Sequence, residues 1–339
     1  MSTALIAGHI CIDLIPAVPS GLGIVPGELV NVGPMTLRAG GCVANTATAL
    51  ADLGANVRVI AGVGDDDLGA ALRRQIRERL GGDVGLVTVS GASTSYSIVL
   101  EPPGSDRTFW HHIGANADFD DDMVSLADTD LLHLGYPQLL PRLIAHDGAR
   151  LQALLQRAKS ATITTSLDFA AVRPDGSEPD WRAILKGVLP AADIVTPSVD
   201  DLVSMLGTTI DNSRSSLSSL AGELIALGAA VVMLTAGPQG ALLRTGSARR
   251  LAAAGPGLAG NVDEWADCEI FAPAAATRVI STTGAGDAAT AGLLYGVLRG
   301  LAPNAALSLA MDTAALRVSG RAANGNAHAG SAARRAATT

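Results

Sequence analysis

Short apolar runs that alternate with helix-patterned segments constrain this chain more than any other feature. Residues 3–10 (TALIAGHI), 56–64 (NVRVIAGVG), 130–136 (DLLHLGY), 162–169 (TITTSLDF), 192–198 (ADIVTPS) and 229–237 (AAVVMLTAG) read as buried strands. Between them, residues 43–54, 142–159 and 214–227 carry helical spacing, the first closing on Gly54 as a C-terminal cap. Such a rhythm predicts an α/β fold with a doubly wound, mostly parallel sheet and helices on both faces. With 339 residues, 48% of them apolar, the chain can fill a sizeable core.

Two stretches break the rhythm. Residues 16–38 are rich in Pro and Gly, and residues 94–112 read as strand, Pro-Pro-Gly turn, strand. Together they predict a small antiparallel sheet projecting from the main domain. From 321 to 339 almost no large apolar residue occurs, so this end reads as a poorly packed tail.

Charge narrows the partners. Against 24 basic residues stand 32 acidic ones, giving −8, and no basic block could track a phosphodiester backbone, which excludes nucleic acid as the expected partner. Residues 224–243 carry no charge, but Gly228, Gly237, Pro238, Gln239 and Gly240 interrupt them, so no membrane span is expected. The first residues lack the basic segment of a signal peptide. Cys11, Cys42 and Cys268 are too few and scattered for a disulfide framework or a zinc site. The expected location is the cytoplasm.

The chemistry concentrates in residues 281–290, STTGAGDAAT, placed between a strand expected at 277–280 and a helix. Small residues at Gly284, Ala285 and Gly286 let helix N-terminal amides approach an anion closely. No lysine follows the glycines, so this is not a Walker loop; backbone amides, a metal ion or an arginine would have to neutralise a transferring phosphoryl group. Asp287 then has two readings: a helix cap, or a base that takes a proton from an attacking hydroxyl.

Three weaker features accompany it. Gly40 and Gly41 precede a helix with Asn45 one turn in, a pattern that could orient a polyhydroxylated ligand or simply form a tight turn. Asp13 follows the first strand, where open α/β sheets place ligand groups. Thr235, Gly237 and Gly240 lie in a strand, glycine turn, strand that could line a nucleotide or be an ordinary hairpin.

Taken in order, GGCVAN (40–45) and TTGAGD (282–287), with AGVGDDDLG (61–69) and GAN (114–116), resemble the PfkB or ribokinase-like family of carbohydrate kinases over roughly residues 3–320. The resemblance implies one kinase domain, 1–320, with a β-sheet lid from 14–39 and 94–113. It implies ATP-dependent phosphorylation of a hydroxyl on a small sugar or sugar-like acceptor, with Asp287 as base. Gly284, Ala285, Gly286 and the Asp287 amide would hold the phosphoryl group. Asp13, Gly40, Gly41, Asn45 and Asn116 would bind the acceptor, and Thr235, Gly237, Gly240 and Thr283 the nucleotide. Mg²⁺ would be organised from residues 198–201, where Ser198 and Asp201 replace the family's N-x-x-E. Ser281 stands where many members carry an Asp that helps bind a monovalent cation, so weak or absent K⁺ activation is expected. A nucleoside kinase, or a catalytically weak member that only binds nucleotide or sugar, are the alternatives. For a base, Tyr96, Phe109 and Trp110 of the lid are stacking candidates, and His111 and His112 must point to opposite faces of their strand, so at most one meets the acceptor. The lid is also where two copies would pair, a homodimer the sequence leaves open.

Overall fold

A computed structural model describes residues 2–23, 25–81, 85–104, 107–173, 176, 178–275 and 277–321, so the expected tail lies outside the described residues apart from Arg321. Its strands are β1 (Thr3–Gly8), β2 (Cys11–Pro16), β3 (Met35–Gly40), β4 (Asn56–Val63), β5 (Gly85–Thr88), β6 (Tyr96–Leu100) and β7 (Thr108–His112). They continue with β8 (Leu131–Gly135), β9 (Thr164–Asp168), β10 (Ile194–Val195), β11 (Val231–Thr235), β12 (Ala241–Thr245) and β13 (Glu269–Ala272). The helices are α1 (Gly41–Asp52), α2 (Asp67–Leu80), α3 (Pro141–Ser160), α4 (Trp181–Val188), α5 (Val199–Leu206) and α6 (Arg214–Ala226). Three short ones, α7 (Ala248–Ala252), α8 (Pro256–Ala259) and α9 (Val262–Trp265), precede α10 (Ala285–Leu298) and α11 (Pro303–Val318).

Nine strands form the large sheet in the order β13-β12-β11-β10-β9-β8-β1-β4-β5. Every neighbour pair from β11 to β5 is parallel; only β11–β12 and β12–β13 run antiparallel. The continuous apolar runs follow from this placement, because parallel strands are covered on both faces. In β1, Leu5 and Ala7 enter the core under α3 to α6, while Ala4 and Ile6 enter the core under α1, α2 and α7 to α11. Strand periodicity of two thus separates the two cores.

Four strands, β3-β2-β6-β7, make a second sheet. It is mixed rather than antiparallel: β2–β3 and β6–β7 are antiparallel, but β2–β6 is parallel. The reason is connectivity, since the chain returns to β6 only after passing through α1, β4, α2 and β5. The sheet begins at Cys11, three residues before the expected start, because the break at His9–Ile10 already turns the chain out of the large sheet.

Two further expectations change. Residues 277–280 form no strand. Val279 and Ile280 are 58% and 69% exposed, and the Ile280 amide bonds instead to the Val318 carbonyl at 2.7 Å, beyond the sheet edge that β13 closes. The helix expected at 142–159 is interrupted at Ala145–Gly148, where His146, Asp147 and Gly148 have positive φ.

Candidate active site

Parallel order brings the C-terminal ends of β8, β9, β10 and β11 to one edge, and the N-termini of α1 and α10 converge there. At the α10 terminus, Gly284 occupies the capping position with φ 75°, and no side chain caps the helix. The positive φ favours glycine at 284, and a Cβ there would also press on the guanidinium of Arg317 at 3.0 Å and the Asn45 amide carbon at 3.2 Å. The Ala285 amide donates to the Thr282 carbonyl, whereas those of Gly286 and Asp287 have no acceptor among the described residues.

Asp287 is not a cap. Its carboxylate is 3% exposed and accepts three side-chain hydrogen bonds: Tyr136 Oη at 2.8 Å, Asn45 Nδ2 at 3.0 Å and Thr46 Oγ1 at 3.2 Å. Burial pushes its carboxyl above the ordinary carboxylate range; the bonds from Tyr136, Asn45 and Thr46 and the charge of Arg317 pull it back. A carboxylate so held, beside free helix amides, has the position and basicity of a proton acceptor next to a bound anion.

Asp13 lies in β2, buried, across from Arg38 in β3 and Ser97 in β6. Burial raises its carboxyl, opposed first by the charge of Arg38. A Cβ on Gly40 would sit 2.5 Å from an Asp13 oxygen, so the bare backbone at 40 is what admits that carboxylate. Ser97 is hydrogen-bonded to His111 at 3.0 Å, which puts His111, and by strand alternation Phe109, on the Asp13 face. Tyr96, Trp110 and His112 fall on the other face, where Tyr96 and His112 are in ring contact at 5.2 Å. Gly41 opens α1 with φ 81°.

Not every expected residue meets the cluster. Asn116 is fully buried and its amide is committed to the backbone of Ile10, with Nδ2 on the carbonyl at 2.8 Å and Oδ1 on the amide at 3.3 Å; it braces the β1–β2 turn. Asp201 closes a capping box with Ser198: its Oδ2 accepts from the Ser198 amide at 2.7 Å, and Ser198 Oγ accepts from the Asp201 amide at 3.1 Å. Burial lifts its carboxyl to about 6. Thr235 ends β11 with its amide on the Pro197 carbonyl, Gly237 begins an exposed turn with open space around it, and Gly240 lies against the Ala272 carbonyl of β13.

A family model described as "pfkB family carbohydrate kinase" matches residues 1–329. The chain belongs to that family. Among its relatives, an ATP-dependent 6-phosphofructokinase of Thermoanaerobacterium thermosaccharolyticum is 25% identical over 82% of this chain and 78% of its own. A fructokinase of Rhizobium leguminosarum bv. trifolii is 28% identical over 76% of this chain and 70% of its own. A crystal structure of a putative ribokinase II from E. coli, in its apo form, superposes with a TM-score of 0.72 at 20% identity, covering 95% and 94% of the two chains. The fold is ribokinase-like, and the chain is a carbohydrate kinase, a phosphotransferase.

In this pfkB kinase several site residues escape sequence reasoning. Thr46 and Tyr136 reach Asp287 only through folding, and Tyr136 does so with a left-handed backbone, φ 61°. Arg317, in the last turn of α11, donates Nε to the Thr283 carbonyl at 3.0 Å and Nη2 to Asn45 Oδ1 at 3.2 Å. Asp168 ends β9, buried; burial and the neighbouring Asp287 and Asp201 push its carboxyl well up. The strand-end rule applied to Asp13 would have found it. His9 is buried with both ring nitrogens unpartnered, between His111 and Tyr136 at centroid distances of 5.1 and 5.6 Å.

The residues present fit a phosphate. The amides of Gly286 and Asp287, which have no acceptor among the described residues, open space beside Gly286 and a buried Thr283 hydroxyl without a partner are the donors such a group would need. For a divalent cation the fit is looser: among the described residues no group of three His, Cys, Asp or Glu side chains converges on one point. Asp201 retains one oxygen free of the capping box. It would hold Mg²⁺ through water.

Proposed function

We propose that this kinase transfers the γ-phosphoryl group of ATP to a hydroxyl of a small sugar or sugar-like acceptor, with Asp287 as general base. The observation that carries the reading is the commitment of the Asp287 carboxylate to Tyr136, Asn45 and Thr46 instead of to its own helix end. The acceptor hydroxyl gives its proton to Asp287, its oxygen forms the new bond to phosphorus, and the bond to the ADP oxygen breaks. The Gly286 and Asp287 amides, beside Gly284 and Ala285, face the charge on the moving phosphoryl group. Thr235, Gly237, Gly240 and Thr283 line the nucleotide. Mg²⁺, when bound near Asp201, supplies positive charge to the ATP phosphates.

Asp13, Gly40, Gly41 and Asn45 bind the acceptor. Asn116 acts behind them, by fixing the turn that carries His9. The small sheet serves as a lid that excludes water during transfer. Met35, Leu37 and Trp110 are exposed on it, all three facing away from Asp13; through that outer face two copies pair. ATP as donor places the reaction in the cytoplasm.

A nucleoside acceptor is the second reading. It is favoured by Phe109 and His111, which share the Asp13 face and offer a base two rings. An ATP-consumption screen over pentoses, hexoses, ketoses and nucleosides, run beside Asp287→Asn, decides between them. Turnover restricted to nucleosides selects the second. Near wild-type turnover in Asp287→Asn removes the base assignment, and no turnover on any acceptor favours a binding-only member.

A further inference from the structure

Arg317 lies outside every signature segment, yet its guanidinium enters the site between the two of them. Nε donates to the Thr283 carbonyl in the anion-binding loop, and Nη2 donates to Asn45 Oδ1 in α1. Asn45 then donates Nδ2 to Asp287 Oδ2 at 3.0 Å. The relay has one direction only. A guanidinium can only donate and a carboxylate can only accept, so these two neighbours dictate which end of the Asn45 amide faces which. With Arg317 gone, Asn45 Oδ1 loses its only partner among the described residues, and the amide is free to turn an oxygen toward Asp287.

We propose that Arg317 is a positioning residue for phosphoryl transfer: through Asn45 it holds the base Asp287, and through Thr283 it holds the anion-binding loop in register with that base. The placement is physically demanding. Gly284 carries no side chain where one would strike the guanidinium, and burial works against the arginine's charge. Opposite charges compensate, since Asp287 and Asp13 both attract it while Arg38 and Arg79 repel it. Facing Asp287 are Asn45, Thr46 and Cys42 of α1, Tyr136 after β8, Asp168 of β9, Asp201 of α5, and Cys11 and Asp13 of β2. Arg317 is the cation among them.

The inference rests on Asp287 being the base, and the test separates the two. Arg317→Met is compared with wild type and Arg317→Lys after thermal unfolding shows all three folded. We expect kcat to fall about 100-fold in Arg317→Met, the scale of a misplaced catalytic group, with KM for ATP little changed. The acid limb of kcat/KM moves to higher pH, because loss of the neighbouring cation favours the protonated carboxyl. Arg317→Lys returns the limb toward wild type but recovers kcat only in part, since an ammonium cannot make the two fixed bonds. Independently of turnover, ¹³C-carboxylate NMR titration of ligand-free protein, assigned with Asp287→Asn, reads the Asp287 midpoint directly. A midpoint unmoved by Arg317→Met overturns the relay whatever the acceptor screen finds. A moved midpoint in a chain that phosphorylates nothing upholds the coupling of Arg317 to Asp287 and removes only the kinase chemistry.

Discussion

Ser281 Oγ donates to Glu101 Oε1 at 2.9 Å and accepts from the Thr283 amide at 3.3 Å, so one hydroxyl joins the residue after β6 to the loop before α10. Its proton and one lone pair are engaged, and it brings no charge. Where a cation-binding carboxylate would stand, the structure has a tether. Initial rates should therefore gain little or nothing from K⁺ over a non-coordinating cation; a strong K⁺ requirement would refute this.

Tyr136→Phe removes the shortest of the three bonds to Asp287 without changing ring volume. That bond holds the carboxyl down, so its loss raises the carboxyl further, and less of the base is deprotonated at low pH. The expected outcome is an acid limb of kcat/KM displaced to higher pH, with a fall of about tenfold at the plateau. A profile superimposable on wild type would show that Tyr136 does not act on the base.

Gly40→Ala tests the acceptor side. The new Cβ would lie 2.5 to 2.6 Å from the Asp13 carboxyl atoms, and a side chain is the part able to yield. Asp13 should swing from its place, raising KM for the acceptor by about tenfold or more, a loss on the scale of one charged hydrogen bond, while KM for ATP holds. Equal changes in both constants would mean that the fold, not the acceptor site, had moved.

Away from the chemistry, Asp193 is buried and takes Lys159 at 2.7 Å and Arg250 at 3.1 Å on one oxygen, and the amides of Thr165 and Gly255 at 3.1 and 2.9 Å on the other. Asp193→Ala leaves two cations facing each other and two amides unpaired. Denaturant unfolding should report a loss of about 3–5 kcal/mol, with KM values unaffected in whatever fraction remains folded. A loss below about 1 kcal/mol, the scale of a surface pair, would contradict this.

His133 is buried in β8 between Cys42 and Ser166, and burial lowers its pKa from 6.5 to about 3. Unfolded, this imidazole takes up a proton as the pH drops through 6.5; folded, it does not until about 3. The native state is therefore favoured above 6.5 and loses stability on acidification across that window, by up to ~1.4 kcal/mol per pH unit. His133→Gln should flatten the dependence of Tm on pH there; an unchanged slope would exclude His133 as its source.

The sheet was legible because parallel strands print their burial as unbroken apolar runs, and the loop at 282–287 because its small residues lead straight into a helix. What escaped was whatever depends on a neighbour. Residues 277–280 carry a strand-like composition but lie past the sheet edge, while β5 and β13 are short edge strands with no run to announce them. Likewise Asn45 could be placed on a helix from its context, but not 242 positions away against Asp287. Arg317 sits in the last turn of α11, a common and favourable position for a basic residue in itself. Only the meeting of α11 with the loop gives it a second use.

The closeness of position 40 to Asp13 and of position 284 to Arg317 has a consequence for how such a chain can diversify. A first added carbon at 40 pushes on the Asp13 carboxylate, and one at 284, on a left-handed backbone, presses on Arg317. Under the proposed function, a change of acceptor preference strains the backbone least at side chains on the Asp13 face of the small sheet, such as Arg38, Ser97, Phe109 and His111. The small sheet offers side chains that can be exchanged, whereas the two glycines bring backbone directly against the groups beside them.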